Sequence, residues 1–492
     1  MRGTGTPGSI EFALTALELL GRPRRIIGLR RNVVTYSAET TQTTFLGHSQ
    51  KPNSACEVVL ENNRVKAEDR AIHDWYRFVL SFPPHLVRDY VQRFGLAEGS
   101  CILDPFCGTG TTLVECKRLG IKSVGLEANP MPWFATNTKI DWRPHPSALL
   151  IHAEKVASAA EESLFKSGIP DFEGLPLFPD DIGFSELKKL SAETEKLILA
   201  NSISPLPLHK TLVLLEALEE HSDERFEAHE RLALAKAIVS DISNLHFGPE
   251  VGVSKPKKDA SVIAAWLKRV TAMAHDLANL PERSYGQATV YRADSRNSSS
   301  VLAPNSVDAV ITSPPYPNEK DYTRTTRLES VLLGFTKSKA DLRLVKHDLV
   351  RSNTRSVYKS DTDHLLVKDH NEIQRIAEAI EDRRVELKKT SGFERLYSRL
   401  TTLYFGGMHR HLADLREILK PGAQLAYVVG DQASYLRVMI RTGQLLADIA
   451  ESLGYEVTGI DLFRTRLATA TGEQLREEVV LLRWPGAGKK GK

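Results

Sequence analysis

The chain has 492 residues, of which 41% are hydrophobic and 26% charged, with a net charge of only +3. So even a balance excludes a polyanion binder whose whole surface is basic, and confines any nucleic-acid contact to local patches. No apolar run reaches the length needed to span a bilayer, and Met1–Gly8 lack the charged-then-apolar layout of a signal peptide; the expectation is a cytoplasmic protein without a membrane partner. Four cysteines (Cys56, Cys101, Cys107, Cys116) show neither CxxC spacing nor a partnering histidine pattern, so they read as reduced thiols and no metal is expected.

Residues 1–70 read as an extension, with one amphipathic stretch from Ile10 to Leu20 followed by the basic cluster Arg22, Arg24, Arg25, Arg30 and Arg31. The aromatic-rich run from His73 to Tyr90, broken by Pro83-Pro84, reads as a lead-in that packs on the next domain. At Cys101 a regular pattern begins. Cys101-Ile102-Leu103 is a short strand, Asp104 to Gly110 a tight glycine turn, and Thr111 to Cys116 opens a helix that stops at Gly120. A second strand, Lys122 to Leu126, ends in Glu127-Ala128-Asn129-Pro130. Strand, glycine turn, helix, strand and acid is the layout of a nucleotide-binding half, in which backbone approaches the ligand closely and an acid roughly 20 residues on accepts from ribose hydroxyls. The turn lacks the third glycine that a pyrophosphate needs, which points to a nucleoside rather than a dinucleotide.

Residues 143–287 change texture to helical patterns at Leu149–Phe165, Leu187–Leu199, Lys210–Glu220, Arg231–Leu245 and Val262–Leu280, with a basic edge at Lys255, Lys257, Lys258, Lys268 and Arg269. The α/β pattern resumes with a strand from Thr289 that ends in the acid Asp294, and then with the apolar run Val307–Ile311. That run stops at Thr312-Ser313-Pro314-Pro315-Tyr316. Two consecutive prolines fix their own φ and cannot continue a central strand, so the chain holds a rigid corner at a strand's carboxyl end, where open α/β sheets place ligands. The polar stretch after it carries Lys337, Lys339, Arg343, Lys346, Arg351, Arg355 and Lys359 among Ser, Thr, Asn and Tyr residues, a mixture suited to phosphate contacts. A helix from Thr401 to Leu419, a strand Gln424–Val429, a helix Val438–Leu453 and strands Val457–Phe463 and Glu478–Leu482 complete the pattern.

Asp104-Pro105-Phe106-Cys107-Gly108-Thr109-Gly110-Thr111-Thr112 resembles the S-adenosylmethionine-binding motif of the DNA amino-methyltransferases. Thr312-Ser313-Pro314-Pro315-Tyr316 resembles their catalytic motif in the Ser-Pro-Pro-Tyr form of the cytosine-N4 branch. The order is unpermuted, with the cofactor motif first, whereas many cytosine-N4 enzymes have the reverse. The resemblance implies a class I, Rossmann-like α/β fold: a seven-stranded, mostly parallel sheet with the last strand antiparallel, helices on both faces, and here a largely helical insertion. The organisation expected is an extension (1–70), the cofactor part of the methyltransferase domain (71–142), a helical insertion that is a candidate target-recognition region (143–287), the catalytic part (288–335), a basic insertion (336–395), the C-terminal part (396–484) and a tail (485–492).

The same resemblance implies roles for single residues. Phe106, Gly108 and Gly110 form the floor around the methionine moiety, with Asp104, Thr111 and Thr112 beside it. Glu127 binds the ribose hydroxyls, Asn129 flanks it, and Asp294 meets the adenine amino group. Ser313 and the Pro314 carbonyl, its direction fixed by Pro315, accept hydrogen bonds from the exocyclic amine, and Tyr316 gives an extruded base a face to stack on. The implied substrate is double-stranded DNA, and the implied setting is restriction–modification or host defence, with a restriction endonuclease or defence subunit as a possible partner. Adenine-N6 methylation, RNA amino-methylation and an inactive DNA-binding methyltransferase fold remain alternatives; Ser313, where an Asp or Asn suits adenine, favours cytosine.

Overall fold

A computed structural model describes residues 65–77, 81–171, 187–248, 250–467 and 474–486. The amphipathic stretch and basic cluster expected between Ile10 and Arg31, and residues 487–492 of the expected tail, lie outside these residues.

Pro83 and Pro84 start helix α1 (Pro84–Arg93) rather than break it, because proline's fixed φ suits the first helical turn. The expected cofactor half comes next as β1 (Cys101–Asp104), α2 (Thr111–Arg118), β2 (Lys122–Leu126) and α3 (Pro130–Lys139). The first insertion supplies α4 (Pro146–Lys166), α5 (Ala192–Glu195), α6 (Pro205–Glu220), α7 (Glu227–Ala237), the antiparallel hairpin β3 (Leu245–Phe247) and β4 (Val251–Val253), and α8 (Val262–Ala278). Then come β5 (Ala288–Tyr291), β6 (Val307–Thr312), α9 (Tyr322–Thr325), α10 (Arg327–Leu332), α11 (Lys339–His347), α12 (Asn371–Glu386), α13 (Tyr397–Ile418), β7 (Leu419–Gly430), α14 (Thr442–Ser452), β8 (Glu456–Leu467) and β9 (Gln474–Arg483).

The seven-stranded sheet has the order β5-β2-β1-β6-β7-β9-β8. Its first five strands are parallel, and β9 runs antiparallel between β7 and β8. This is the class I methyltransferase-like arrangement, with the reversal of strand order falling between β1 and β6. Both faces are covered, so these strands read as continuous apolar runs whose alternate residues serve different cores. On one face Ile102, Ala309 and Ile311 meet Leu86, Val87 and Tyr90 of α1. On the other, Leu103 and Val310 meet Tyr404, Phe405 and Met408 of α13.

The insertion helices share a core with the cofactor half: Leu113 and Val114 of α2 and Met131 and Ala135 of α3 belong to the same buried cluster as Leu149, Leu214 and Trp266. Two expectations fail locally. The helix expected over 187–199 shrinks to Ala192–Glu195, and the one expected to reach Leu245 ends in a π-type turn at Ile238–Ile242, so that Leu245 opens β3. The basic insertion, which reads as a polar stretch in sequence, contains α11 and α12; α11 opens with a capping box between Ser338 and Asp341.

The lead-in is fastened to α2 by a buried carboxylate. Glu115 accepts from His73 Nε2 at 2.8 Å and from Arg88 Nη1 at 2.6 Å, and Arg88 also reaches Asp69. Burial brings His73 down to about 4, so it is neutral in the folded protein near pH 7. Glu115→Gln is expected to destabilise the fold by about 2 kcal/mol, the scale of hydrogen bonds to a charged group, seen as a lower urea midpoint at unchanged slope. The folded pKa of His73 lies below its unfolded value of 6.5, so the stability tied to this histidine is full above pH 6.5 and falls as pH drops toward 4.

Candidate active site

The carboxyl ends of β1 and β6 lie side by side, in the register Ile102 to Ala309 and Leu103 to Val310. The next residues in each strand join the two motifs: the Thr312 hydroxyl donates to Asp104 Oδ1 at 2.6 Å. One turn away, the Thr112 hydroxyl donates to the Ile311 carbonyl at 3.2 Å. Asp104 is fully buried, and its second oxygen, Oδ2, has no partner among the described residues. Burial pushes this carboxyl up to about 6, against the hydrogen bonds from Thr312 and the Phe106 amide.

The glycine turn is held from behind by α3. Thr136 donates to the Gly108 carbonyl at 2.8 Å, and the buried Lys139 ammonium donates to the Thr109 carbonyl at 2.7 Å. Gly110 has φ +81°, and a Cβ there would lie 2.8 Å from the Thr136 methyl, so both conformation and space require glycine. Glu127 closes the turn from β2: Oε2 accepts from the Gly108 amide at 3.1 Å and Oε1 from the Asn129 amide at 2.7 Å. Burial pushes the Glu127 carboxyl up to about 7, with those two amides opposing the rise. Asn129 caps α3 by accepting from the Met131 amide, and donates to Thr326 at 3.3 Å. The Phe106 ring packs edge-on against His411 at 4.8 Å, and His411 is locked between the Ser295 carbonyl and the Tyr427 hydroxyl.

At the corner, the Ser313 hydroxyl donates to the Val428 carbonyl of β7 at 3.1 Å, which commits its proton and leaves oxygen lone pairs as acceptors. The Pro314 carbonyl accepts no hydrogen bond from the described residues. The Tyr316 amide donates to the Tyr322 hydroxyl at 3.4 Å, and the Tyr316 ring lies against Gly430, where a Cβ would come within 3.1 Å. Burial, then the Glu477 carboxylate, raise the Tyr316 phenol well above its usual range.

These parts surround one cavity of about 700 Å³. Phe106, Gly108, Thr111, Glu127 and Asn129 line it from the cofactor half, and Ser313 to Tyr316 from the corner. Asp104, Gly110 and Thr112 stand behind that lining. Asp294 is placed differently from the expected adenine contact. Its carboxylate caps the turn at Ser295–Ser300 and is gripped by the Arg296 guanidinium at 2.7 Å, while Ala293, Ser295 and Asp348 line the cavity there.

Several cavity residues escape sequence reasoning. The loop after the corner is braced by the basic insertion: the Glu319 amide donates to Ser352 O at 3.1 Å, Asn353 Nδ2 to Lys320 O at 3.4 Å, and Lys346 pairs with Asp321 at 2.8 Å. Asn353 is 5% exposed, and its Oδ1 has no partner in the described residues. Asp321, close behind the corner and leading into a helix, is the one readable signal. The expected phosphate contact at Arg351 is corrected. This side chain is buried, bidentate on Asp361 and bonded to three carbonyls between Lys346 and Leu349, so it staples the insertion to itself. No cluster of three or more metal-ligating side chains occurs among the described residues, and no described helix is long and apolar enough to cross a membrane.

Comparison with known proteins bears on the whole arrangement. Residues 39–131 match the model of the N6/N4 DNA methylase family. The Type II methyltransferase M.BsoBI of Geobacillus stearothermophilus is 26% identical over 85% of this chain and 85% of its own length. The Type II methyltransferase M.AvaI of Anabaena variabilis is 23% identical over 82% of each. The tRNA (guanine(10)-N2)-dimethyltransferase of Methanothermobacter thermautotrophicus is 34% identical, over only 19% of this chain and 20% of its own. With the strand order, the glycine turn and the Ser-Pro-Pro-Tyr corner, these matches make the chain similar to the N6/N4 DNA methylase family over residues 39–131 and to two Type II methyltransferases over most of its length.

Proposed function

We propose that the protein is a site-specific DNA methyltransferase that moves a methyl group from S-adenosylmethionine to the N4 amine of cytosine. The observation that carries this reading is the corner itself: a serine hydroxyl that donates to Val428 O, beside a proline carbonyl with no donor among the described residues, on the strand tied to Asp104.

The residues of the cofactor half fit that donor. The partnerless buried oxygen of Asp104 suits an ammonium group, and Glu127, fixed by two amides, keeps lone pairs for a ribose diol. Phe106, backed by His411, supplies an apolar wall. When bound, the cofactor supplies a methyl group already activated by its positive sulfur.

The N4 amine of cytosine is a poor nucleophile because its lone pair is delocalised into the ring. Ser313 Oγ and the Pro314 carbonyl accept its two N–H bonds, which draws the nitrogen toward a geometry with a localised lone pair. The corner thereby does the work of positioning and needs no strong base, since a methylated, positively charged amine gives up its proton readily. Tyr316 and the cavity around it receive a base taken out of the duplex, where N4 is otherwise out of reach. Methylation within a defined sequence, in a restriction–modification setting, is the role that the two Type II relatives support.

Ser313→Ala is expected to lower turnover by roughly 100-fold, the usual scale for losing one preorganised hydrogen-bond partner, with cofactor affinity within about twofold of the parent. Glu127→Gln is expected to weaken S-adenosylmethionine binding about tenfold by calorimetry, or about 1.4 kcal/mol. In the parent protein, affinity falls as pH drops below 7, because Glu127 titrates near 7 and protonation removes an acceptor; in Glu127→Gln this part of the pH dependence disappears. Tritiated methyl transfer is expected to label unmethylated duplex DNA and not total tRNA, and labelling of tRNA alone would overturn the DNA reading.

A further inference from the structure

Beside the active-site cavity lies a second cleft, of about 440 Å³, whose lining is unusually one-sided in charge. It contains Lys196, Arg327, Lys339, Arg343, Lys346 and Arg355, and no carboxylate. The cations come from separate parts of the chain. Lys196 lies just after α5 in the first insertion, Arg327 opens α10 behind the catalytic corner, and the others belong to the basic insertion. On α11, Lys339, Arg343 and Lys346 recur at i, i+4 and i+7, so they share one helix face.

Several buried cations elsewhere are matched by acids, as Arg351 is by Asp361, Arg296 by Asp294 and Asp363, and Lys210 by Asp259. Among the described residues, Lys346 is the cleft cation with such a partner, Asp321. Arg327 is fixed by uncharged acceptors, the Thr323 carbonyl and hydroxyl and the Leu197 carbonyl, so it is positioned without a direct ion pair among the described residues. Burial holds Arg327 below the usual arginine range; the Asp321 carboxylate opposes this, and the nearby Arg324 and Arg355 charges act with burial. Lys196, Lys339, Arg343 and Arg355 are exposed and make no ion pair within the described residues. Gathering like charges in one cleft is unfavourable without an anion to answer them, and a row of cations tracking a groove matches a nucleic-acid backbone. Lys346 lines both this cleft and the active-site cavity, where its partner Asp321 also stands, so a strand lying in the cleft passes directly beside the corner.

We propose that this cleft seats the sugar–phosphate backbone of the DNA strand that carries the target base, with Lys339, Arg343 and Arg355 as phosphate contacts. The proposal rests on the reading of the protein as a DNA methyltransferase. It gives the two insertions a joint role, since together they grip the strand without reading its sequence.

The test is a salt titration of binding to a labelled duplex of arbitrary sequence, comparing the full chain with Lys339→Gln/Arg343→Gln and, separately, Arg355→Gln. Removing one phosphate-binding cation is expected to reduce the slope of log K against log salt by about 0.9, hence roughly 1.8 for the double variant, with affinity at low salt down roughly 10- to 100-fold. S-adenosylmethionine affinity, measured by calorimetry, should stay at the parental value and shows that the fold is intact. Lys166→Gln, at an exposed lysine of α4 outside the cleft, should keep the parental slope. Parental slopes in both cleft variants would overturn the proposal, as would a loss confined to tRNA binding. Since binding is read without catalysis, a reduced slope in a protein that methylates adenine would uphold the cleft while refuting the cytosine reading.

Discussion

The hydrogen bond from the Thr312 hydroxyl to Asp104 Oδ1, 2.6 Å long and fully buried, is the interaction on which the rest of the site depends. It joins neighbouring parallel strands that are 208 positions apart in sequence, and it does so at their carboxyl ends, where the sheet reverses its strand order. The glycine-turn side of the cavity is built out from Asp104, and the Ser-Pro-Pro-Tyr corner from Thr312. A bond of this kind in a low-dielectric interior is strong because neither partner has water to turn to. It therefore fixes the two half-sites relative to each other with a precision that loops alone do not provide. It also leaves a buried carboxylate with one oxygen unanswered, a cost that a fold bears most readily where a ligand offsets it.

Around that joint the two insertions serve different physical ends. The first is not a free-standing module: α4 and α6 to α8 bury their apolar faces with α2 and α3, so they stiffen the glycine turn from behind while their β3–β4 hairpin reaches the cavity rim. The second folds onto the loop after the corner. Its buried Arg351 turns a charged, polar stretch into a rigid brace, and Asn353, Lys346 and Asp348 become walls of the cavity.

Much of this is legible in the sequence because the core strands are short, apolar on both faces and closed by residues with strong backbone preferences. The glycine turn, the two prolines at the corner and the acid at Glu127 each announce a conformation through their own sterics or charge. The insertions are opaque for a different reason: their order comes from tertiary partners. The pattern of Leu187–Leu199 suits a helix, yet only Ala192–Glu195 form one, and the α12 stretch hides its apolar stripe of Ile373, Ile376 and Ile380 among charges. Arg351 reads as a surface cation because nothing local shows that Asp361 folds back to meet it. Asp294 misleads in a similar way, since the residue that occupies its carboxylate, Arg296, is only two positions on and reads as an ordinary surface arginine.

The central claim, that Ser313 and the Pro314 carbonyl prepare the N4 amine of cytosine, is tested most directly by the chemical identity of the product. Unmethylated duplex DNA incubated with the protein and isotopically labelled S-adenosylmethionine would be digested to nucleosides and analysed by mass spectrometry. Labelled N4-methyldeoxycytidine is the expected product, and its formation should collapse in Ser313→Ala. Labelled N6-methyldeoxyadenosine as the sole product would contradict the claim.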